Sequence, residues 1–301
     1  MALLAVGSVA FDSIRTPHGQ ANDIVGGSAT YFSVAAGCFT PVRIVAVIGE
    51  DFREEQLRVF AGRPIDTTGL ERVAGRTFRW RGQYAGDMNE AQTLETQLNV
   101  FELFSPKIPA SYLDSEFVFL GNIDPVLQLH VRQQLPKARL VACDSMNYWI
   151  KGKLPELRST LAQVDALIIN EGEARMLSGQ ENLKMAVTGI QKLGPRIVVI
   201  KRGEYGVVLF MEGSIFAAPG YPLETVCDPT GAGDTFAGGF MGHLAQQGDL
   251  SEATLRRAVV YGSVLASFAV EDFGLARLLR LTHAEIEHRF HEFKNLTHFD
   301  G

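Results

Sequence analysis

Asp228-Pro229-Thr230-Gly231-Ala232-Gly233-Asp234-Thr235-Phe236-Ala237-Gly238-Gly239-Phe240 is the most informative stretch of the 301 residues. Gly231-Ala232-Gly233 lets the backbone turn tightly and face a ligand with no Cβ in the way. The small apolar run that follows predicts a helix over 235–247, whose first N–H groups point into that turn. Such an N-terminus attracts anions. Asp234 stands at the positive end, where a carboxylate is expected to stay ionised and can accept a proton. An anion cradle beside a carboxylate base suits transfer of a phosphoryl group to a hydroxyl. Taken alone, a Gly-rich turn and an Asp also describe an ordinary helix start, with Gly238 and Gly239 serving helix packing.

Upstream of this stretch, short apolar runs at 2–9, 42–49, 117–121, 140–144, 166–170 and 197–201 read as strands. Most are apolar throughout, as expected of strands covered on both faces. Helical patterns at 50–61, 125–135, 154–163, 172–178 and 182–193 lie between them. The alternation predicts right-handed crossovers and a mostly parallel sheet between two helical layers. A hairpin is predicted from 207–211 and 214–218, then helices at 251–269 and 283–294. Two segments break this rhythm, 14–25 and 71–101. Together they read as a small antiparallel sheet standing off the main one, a candidate lid. No linker divides the chain, so residues 1–301 are read as one domain.

Hydrophobic residues make up 46% and charged residues 21%, which excludes a disordered chain. The net charge of −6 gives no global field that would draw the chain to nucleic acid or an anionic membrane. Cys38, Cys143 and Cys227 stand far apart with no metal-ligand spacing and read as buried thiols in a reducing compartment. The first residues lack a basic stretch and a long apolar run, so they read as a core strand, and the expected location is the cytoplasm. The seven histidines are scattered and suggest no metal site.

The signature at 228–240 resembles the second signature of the ribokinase-like carbohydrate kinases, the PfkB family, and the resemblance extends along nearly the whole chain. It implies a three-layer α/β/α fold with a small β-sheet lid. It also implies ATP-dependent, Mg²⁺-dependent phosphorylation of a hydroxyl on a small sugar. In that role Asp234 is the catalytic base, and Gly231, Ala232 and Gly233 form the anion hole. Asn170-Glu171-Gly172-Glu173, at a strand end, resembles the family's N-x-x-E motif, in which Asn170 and Glu173 support magnesium through its waters; the alternative is a capped helix start. Lys201 and Gly203 follow the next strand and are expected beside the nucleotide, as is Thr230. Asp12 resembles the sugar-binding Asp after the first strand, and Gly26 and Gly27 resemble the first signature's Gly pair beside the acceptor. Asp144 and Asn147, after another strand, resemble a D-x-N type of segment that touches phosphate water or the acceptor. Tyr31 stands where that pattern has Asn, Ser28 where ribokinase has Lys, and Ala10 where it has Asn. These departures argue against ribose as the substrate.

A nucleoside is the runner-up acceptor, with Phe78, Trp80 and Tyr84 of the lid available to stack on a base. These aromatics could equally pack the lid or join two lids in a homodimer. A catalytically silent sugar-binding regulator on the same fold is the rival from another class. Asp228 and Thr230, with backbone carbonyls of 270–274, match a potassium site seen in several relatives. Glu271 or Asp272 folding inward would replace that ion.

Overall fold

The computed structural model describes residues 2–86, 88–89 and 91–298. In chain order its first elements are β1 (Leu3–Val6), β2 (Ala10–Thr16), β3 (Gly19–Gly26), α1 (Ser28–Ala36), β4 (Val42–Ile48), α2 (Glu54–Leu57), β5 (Ile65–Arg72), β6 (Phe78–Tyr84) and β7 (Ala91–Gln97). Next come β8 (Phe117–Leu120), α3 (Pro125–Gln134), β9 (Leu140–Cys143), α4 (Asn147–Gly152), α5 (Leu154–Leu161), β10 (Ala166–Asn170), α6 (Glu171–Ser178) and α7 (Leu183–Gln191). The last are β11 (Ile197–Lys201), β12 (Val207–Met211), β13 (Ser214–Ala218), α8 (Ala232–Gln247), α9 (Glu252–Ala269), α10 (Ala276–Leu279) and α11 (His283–Thr297).

Nine strands form the main sheet in the order β13-β12-β11-β10-β9-β8-β1-β4-β5. All neighbours from β11 to β5 pair parallel, and the β12–β13 hairpin adds two antiparallel strands at one edge. Alternate residues of each strand feed opposite layers. Leu4, Val118, Val141, Leu167 and Val198 pack with α5, α6 and α7. Leu3, Phe117, Leu140, Ala166 and Val199 pack with α1, α8 and α9. This two-sided burial explains the continuous apolar runs. The predicted three-layer α/β/α architecture is what the chain adopts. Glycines allow its tightest helix contact, since a Cβ on Gly238 would stand 2.4 Å from the Phe32 carbonyl oxygen.

The second sheet has the order β3-β2-β6-β7. It is not wholly antiparallel as expected, because β2 and β6 at its centre run parallel. It also begins earlier than expected, at Ala10, and residues 71–72 belong to β5 of the main sheet. The run 2–9 stops being strand at Val6, where Ser8 and Ser28 each accept the other's backbone N–H at 3.1 and 3.0 Å and tie the end of β1 to the start of α1. The helix expected at 50–61 shrinks to α2 and one 3-10 turn (Arg58–Phe60). Asp51 is diverted there: it accepts from the Thr77 N–H at 2.7 Å and from Arg79 at 3.0 Å.

Candidate active site

The main sheet changes direction of winding at β1, which lies between β4 and β8. Ligands of open α/β sheets bind at such a point, outside the carboxyl ends of the strands. Asp144, Asn170 and Lys201 all stand at those ends.

Helix α8 starts at Ala232, three residues earlier than expected, with Gly231 as its N-cap in the left-handed conformation at φ 72°. The predicted turn is therefore itself the first helical turn. Its N–H groups have no acceptor within the helix, although the Ala232 N–H also donates to the Pro229 carbonyl at 3.2 Å. A Cβ on Gly231 would stand 2.4 Å from the Tyr31 ring, so glycine is required here by both space and conformation.

Asp234 is half-buried in that turn. The expectation that it is ionised at neutral pH needs correction. Burial, then the nearby Asp144, push its pKa up to about 7 against the pull of Lys201. Desolvation and the like charge together outweigh the attraction of Lys201. Lys201 Nζ lies 3.4 Å from Asp144 Oδ2 and 2.8 Å from where a Cβ on Gly233 would stand. Burial works against the Lys201 ammonium, but Asp144, Glu173 and Asp234 outweigh it and hold it protonated. Asp144 is 6% exposed; its backbone carbonyl accepts from Gln128 Nε2 at 2.9 Å. Asn147, read with Asp144 in the sequence, is exposed at the start of α4.

Asp12 faces the same space from β2. It is 4% exposed, and burial followed by Asp228 raises its pKa to about 7, with the Gly27 N–H pulling it down and Asp234 adding to the rise. Gly26 is needed beside it, because a Cβ there would meet Asp12 Oδ2 at 1.9 Å. Gly27, at φ 95°, leaves no room for a Cβ against the Ser8 carbonyl oxygen. Tyr31, expected among the acceptor contacts, is instead 1% exposed beneath Gly231. Its hydroxyl has no hydrogen-bond partner among the described residues.

In the parallel β2–β6 register Asp12 pairs with Trp80. The pleat therefore puts Asp12, Trp80, Gly82 and Tyr84 on one face. The Trp80 ring lies across Gly82, 2.2 Å from where a Cβ would stand, and its Nε1 donates to Thr93 Oγ1 at 3.2 Å. The Tyr84 and Thr230 hydroxyls are 3.3 Å apart, which seats this face on the signature turn.

Asn170 and Glu173 form a reciprocal capping box on α6. Asn170 Oδ1 accepts the Glu173 N–H, and Glu173 Oε2 accepts the Asn170 N–H, both at 2.8 Å. The helix-start alternative is thus realised, and the charge of Glu173 still reaches Lys201. Gly203 has φ 56°, and a Cβ there would meet Asn89 Oδ1 at 2.2 Å. Asn89, which the sequence did not single out, thus fills the space beside Gly203.

The family model described as "pfkB family carbohydrate kinase" matches residues 3–280. The chain belongs to this family. Its members are phosphotransferases. The cytidine kinase of Thermococcus kodakarensis is 30% identical over 256 residues, 83% of this chain and 91% of that protein. The ribokinase of Haemophilus influenzae is 24% identical over 83% of this chain and 82% of its own length. Among solved structures, a fructokinase from Vibrio cholerae O395 in a fructose, ADP and calcium ion bound form covers 96% of this chain and 98% of its own. Its TM-score is 0.80 at 18% identity. The Methanocaldococcus jannaschii nucleoside kinase gives 0.78 at 20% identity, covering 97% of this chain and 98% of its own. No helix among the described residues is long and apolar enough to cross a membrane.

Proposed function

We propose that this chain, acting as one catalytic unit, transfers the γ-phosphoryl group of ATP to a hydroxyl of a small polyhydroxylated molecule. The observation that carries the reading is Asp234 in the opening turn of α8, half-buried and poised near pH 7, beside Lys201 and facing Asp12. The acceptor hydroxyl lies between Asp234 and the γ-phosphate. Asp234 takes its proton, and the N–H groups of Gly231, Ala232 and Gly233 stabilise charge on the transferring group. Asp12, with the backbone at Gly26 and Gly27, orients the acceptor. Lys201, Gly203 and Thr230 border the nucleotide, and the small sheet acts as a lid that excludes water.

Two features fit ATP. Lys201 is a half-buried ammonium, and the turn at Gly231–Gly233 has no side-chain obstruction. Asn170 and Glu173 would hold magnesium through its waters, and the bound ion would offset phosphate charge. Potassium fits less well, because both Asp228 oxygens already accept backbone N–H groups, from Thr230 and Gly274, each at 2.9 Å. The acidic replacement does not form either, since Glu271 and Asp272 face arginines. Rates in sodium, potassium and tetramethylammonium buffers of equal ionic strength test this, and equal rates mean that the hydrogen bonds suffice.

A nucleoside acceptor is favoured over a free sugar by Trp80 on the Asp12 face and by the similarity to a cytidine kinase. ATP turnover against a panel of sugars and nucleosides tests the whole reading. No turnover with any of them would leave the silent-regulator alternative. The edge strand β7 is exposed over most of its length, with Leu94 50% exposed, and is where a homodimer through the lid would form. Sedimentation measures that.

A further inference from the structure

The loop of residues 270–274, between α9 and α10, touches three parts of the molecule. Toward the signature, the Val270 carbonyl accepts the Cys227 N–H at 2.7 Å and the Asp228 N–H at 3.3 Å. The Gly274 N–H donates to Asp228 Oδ2, whose partner oxygen accepts the Thr230 N–H. Asp228 thus joins the loop to the turn that opens α8. Toward the small sheet, a Cβ on Gly274 would stand 2.5 Å from Ile24 Cδ1, and one on Gly19 would stand 3.3 Å from the Phe273 ring. The loop therefore packs on β3, the strand that ends at Gly26.

On the side away from the site, two arginines hold Glu271. Arg277 Nε donates to it at 2.8 Å and the Arg289 guanidinium at 2.7 Å. Both arginine side chains are 13% exposed. Their guanidinium carbons lie 4.6 and 3.4 Å from the centroid of the Phe268 ring. Arg289 also donates to Ser267 Oγ at 3.1 Å, and Arg277 to Glu285 at 2.7 Å. A planar guanidinium bound to a carboxylate and stacked on a ring has little freedom. Arg289 belongs to α11, so the clamp anchors the loop to the C-terminal helix.

We infer that Arg277 and Arg289 are positioning residues for the reaction. By fixing Glu271 they fix the 270–274 loop, and through Asp228 they set where the N–H groups of the Gly231 turn point. The inference rests on the reading of that turn as the anion hole. Neither arginine touches substrate, yet a misplacement of about 1 Å at the reacting centre can cost roughly 10²-fold in rate.

Arg289→Met keeps an apolar stem over Phe268 and removes the charge. Glu271→Gln keeps the shape and weakens both pairs, and serves if the first variant folds poorly. Each should lower kcat ~10- to 100-fold while acceptor KM stays within about threefold, the split expected of a transition-state effect. Hydrogen exchange over residues 228–235 should quicken in both. Arg139→Gln, which breaks a surface pair with Glu116 before the start of β9, should change neither. Unchanged kcat per folded molecule in both variants overturns the inference, whatever happens to Tm. If the wild type phosphorylates nothing in the panel, the functional reading fails separately. The exchange measurement then decides the coupling alone, and unaltered exchange at 228–235 overturns it.

Discussion

Asp234 must be deprotonated to act as a base, yet burial and Asp144 hold its proton until about pH 7. That compromise suits a general base, which works best when its pKa lies near the working pH. Asp234→Asn keeps the shape and cannot take the proton, so phosphoryl transfer should fall ~10²–10⁴-fold with the fold intact. Initial rates beside a melting curve check this, and a loss below tenfold removes Asp234 from the role. Because the ionised form is the active one, kcat/KM, which reports the ligand-free enzyme, should rise with pH through about 7 and level above it. Asp12 titrates in the same range, so the apparent value belongs to the pair. A rate independent of pH between 5.5 and 8 would contradict the assignment. At this scale the place of Asp234 was legible from its motif, but its ionisation was not. Asp144 and Lys201 were each read at a strand end, but they reach Asp234 from other strands, and no local pattern shows that the fold sets the three together. Tyr31 follows the Gly pair and so reads as an acceptor contact, but the turn of α1 carries its ring under Gly231.

The opening turn of α8 and the small sheet make the site by facing one another, joined at Thr230 and Tyr84. The sheet's inner face offers a carboxylate at Asp12 and an aromatic surface at Trp80, spaced by the strand register and not by any loop. A base stacked on an aromatic side chain is worth ~1–3 kcal/mol. Trp80→Ala should therefore raise the KM of a nucleoside roughly 5- to 150-fold and leave that of any free sugar turned over within about twofold. Equal losses for both acceptors would make Trp80 a packing residue of the sheet. The major strands and the terminal helices were legible because two-sided burial gives unbroken apolar runs. β5 was not, since an edge strand carrying Asp66, Thr67, Thr68 and Glu71 buries little and shows no clear period. The parallel β2–β6 pairing was hidden for another reason. It joins segments distant in the chain, and alternation within a strand says nothing of its neighbour's direction.

Across the whole molecule, folding gathers acidic groups that an unfolded chain keeps apart. Asp12 and Asp234, ordinarily near 3.8, are both raised to about 7, first by burial and then by Asp228 at Asp12 and by Asp144 at Asp234, with Asp234 adding a smaller push on Asp12. The folded state thus binds these two protons more tightly than the unfolded state does. The stability they contribute is full below about pH 4 and is lost as pH rises through about 7. His243 opposes them. Its ring is 5% exposed, with neither nitrogen hydrogen-bonded among the described residues, and burial lowers its pKa to about 4. Its contribution is full above about 6.5 and lost as pH falls toward 4. Asp249 and Glu285, both lowered to about 2 by local hydrogen bonds, lose theirs only below the ordinary carboxylate range. Between pH 5 and 7, then, two carboxylates work against one imidazole. The ligand-free protein should lose stability as pH rises across that window, then level off above pH 8. Thermal melts at constant ionic strength read this directly, and in the Asp12→Asn and Asp234→Asn double variant, where His243 is left unopposed, the slope should reverse, with Tm rising from pH 5 to about 6.5. A wild-type Tm that climbs from pH 5 to 7 would mean that these carboxylates are not held protonated. The near-neutral base on which the proposed chemistry depends would then be lost with them.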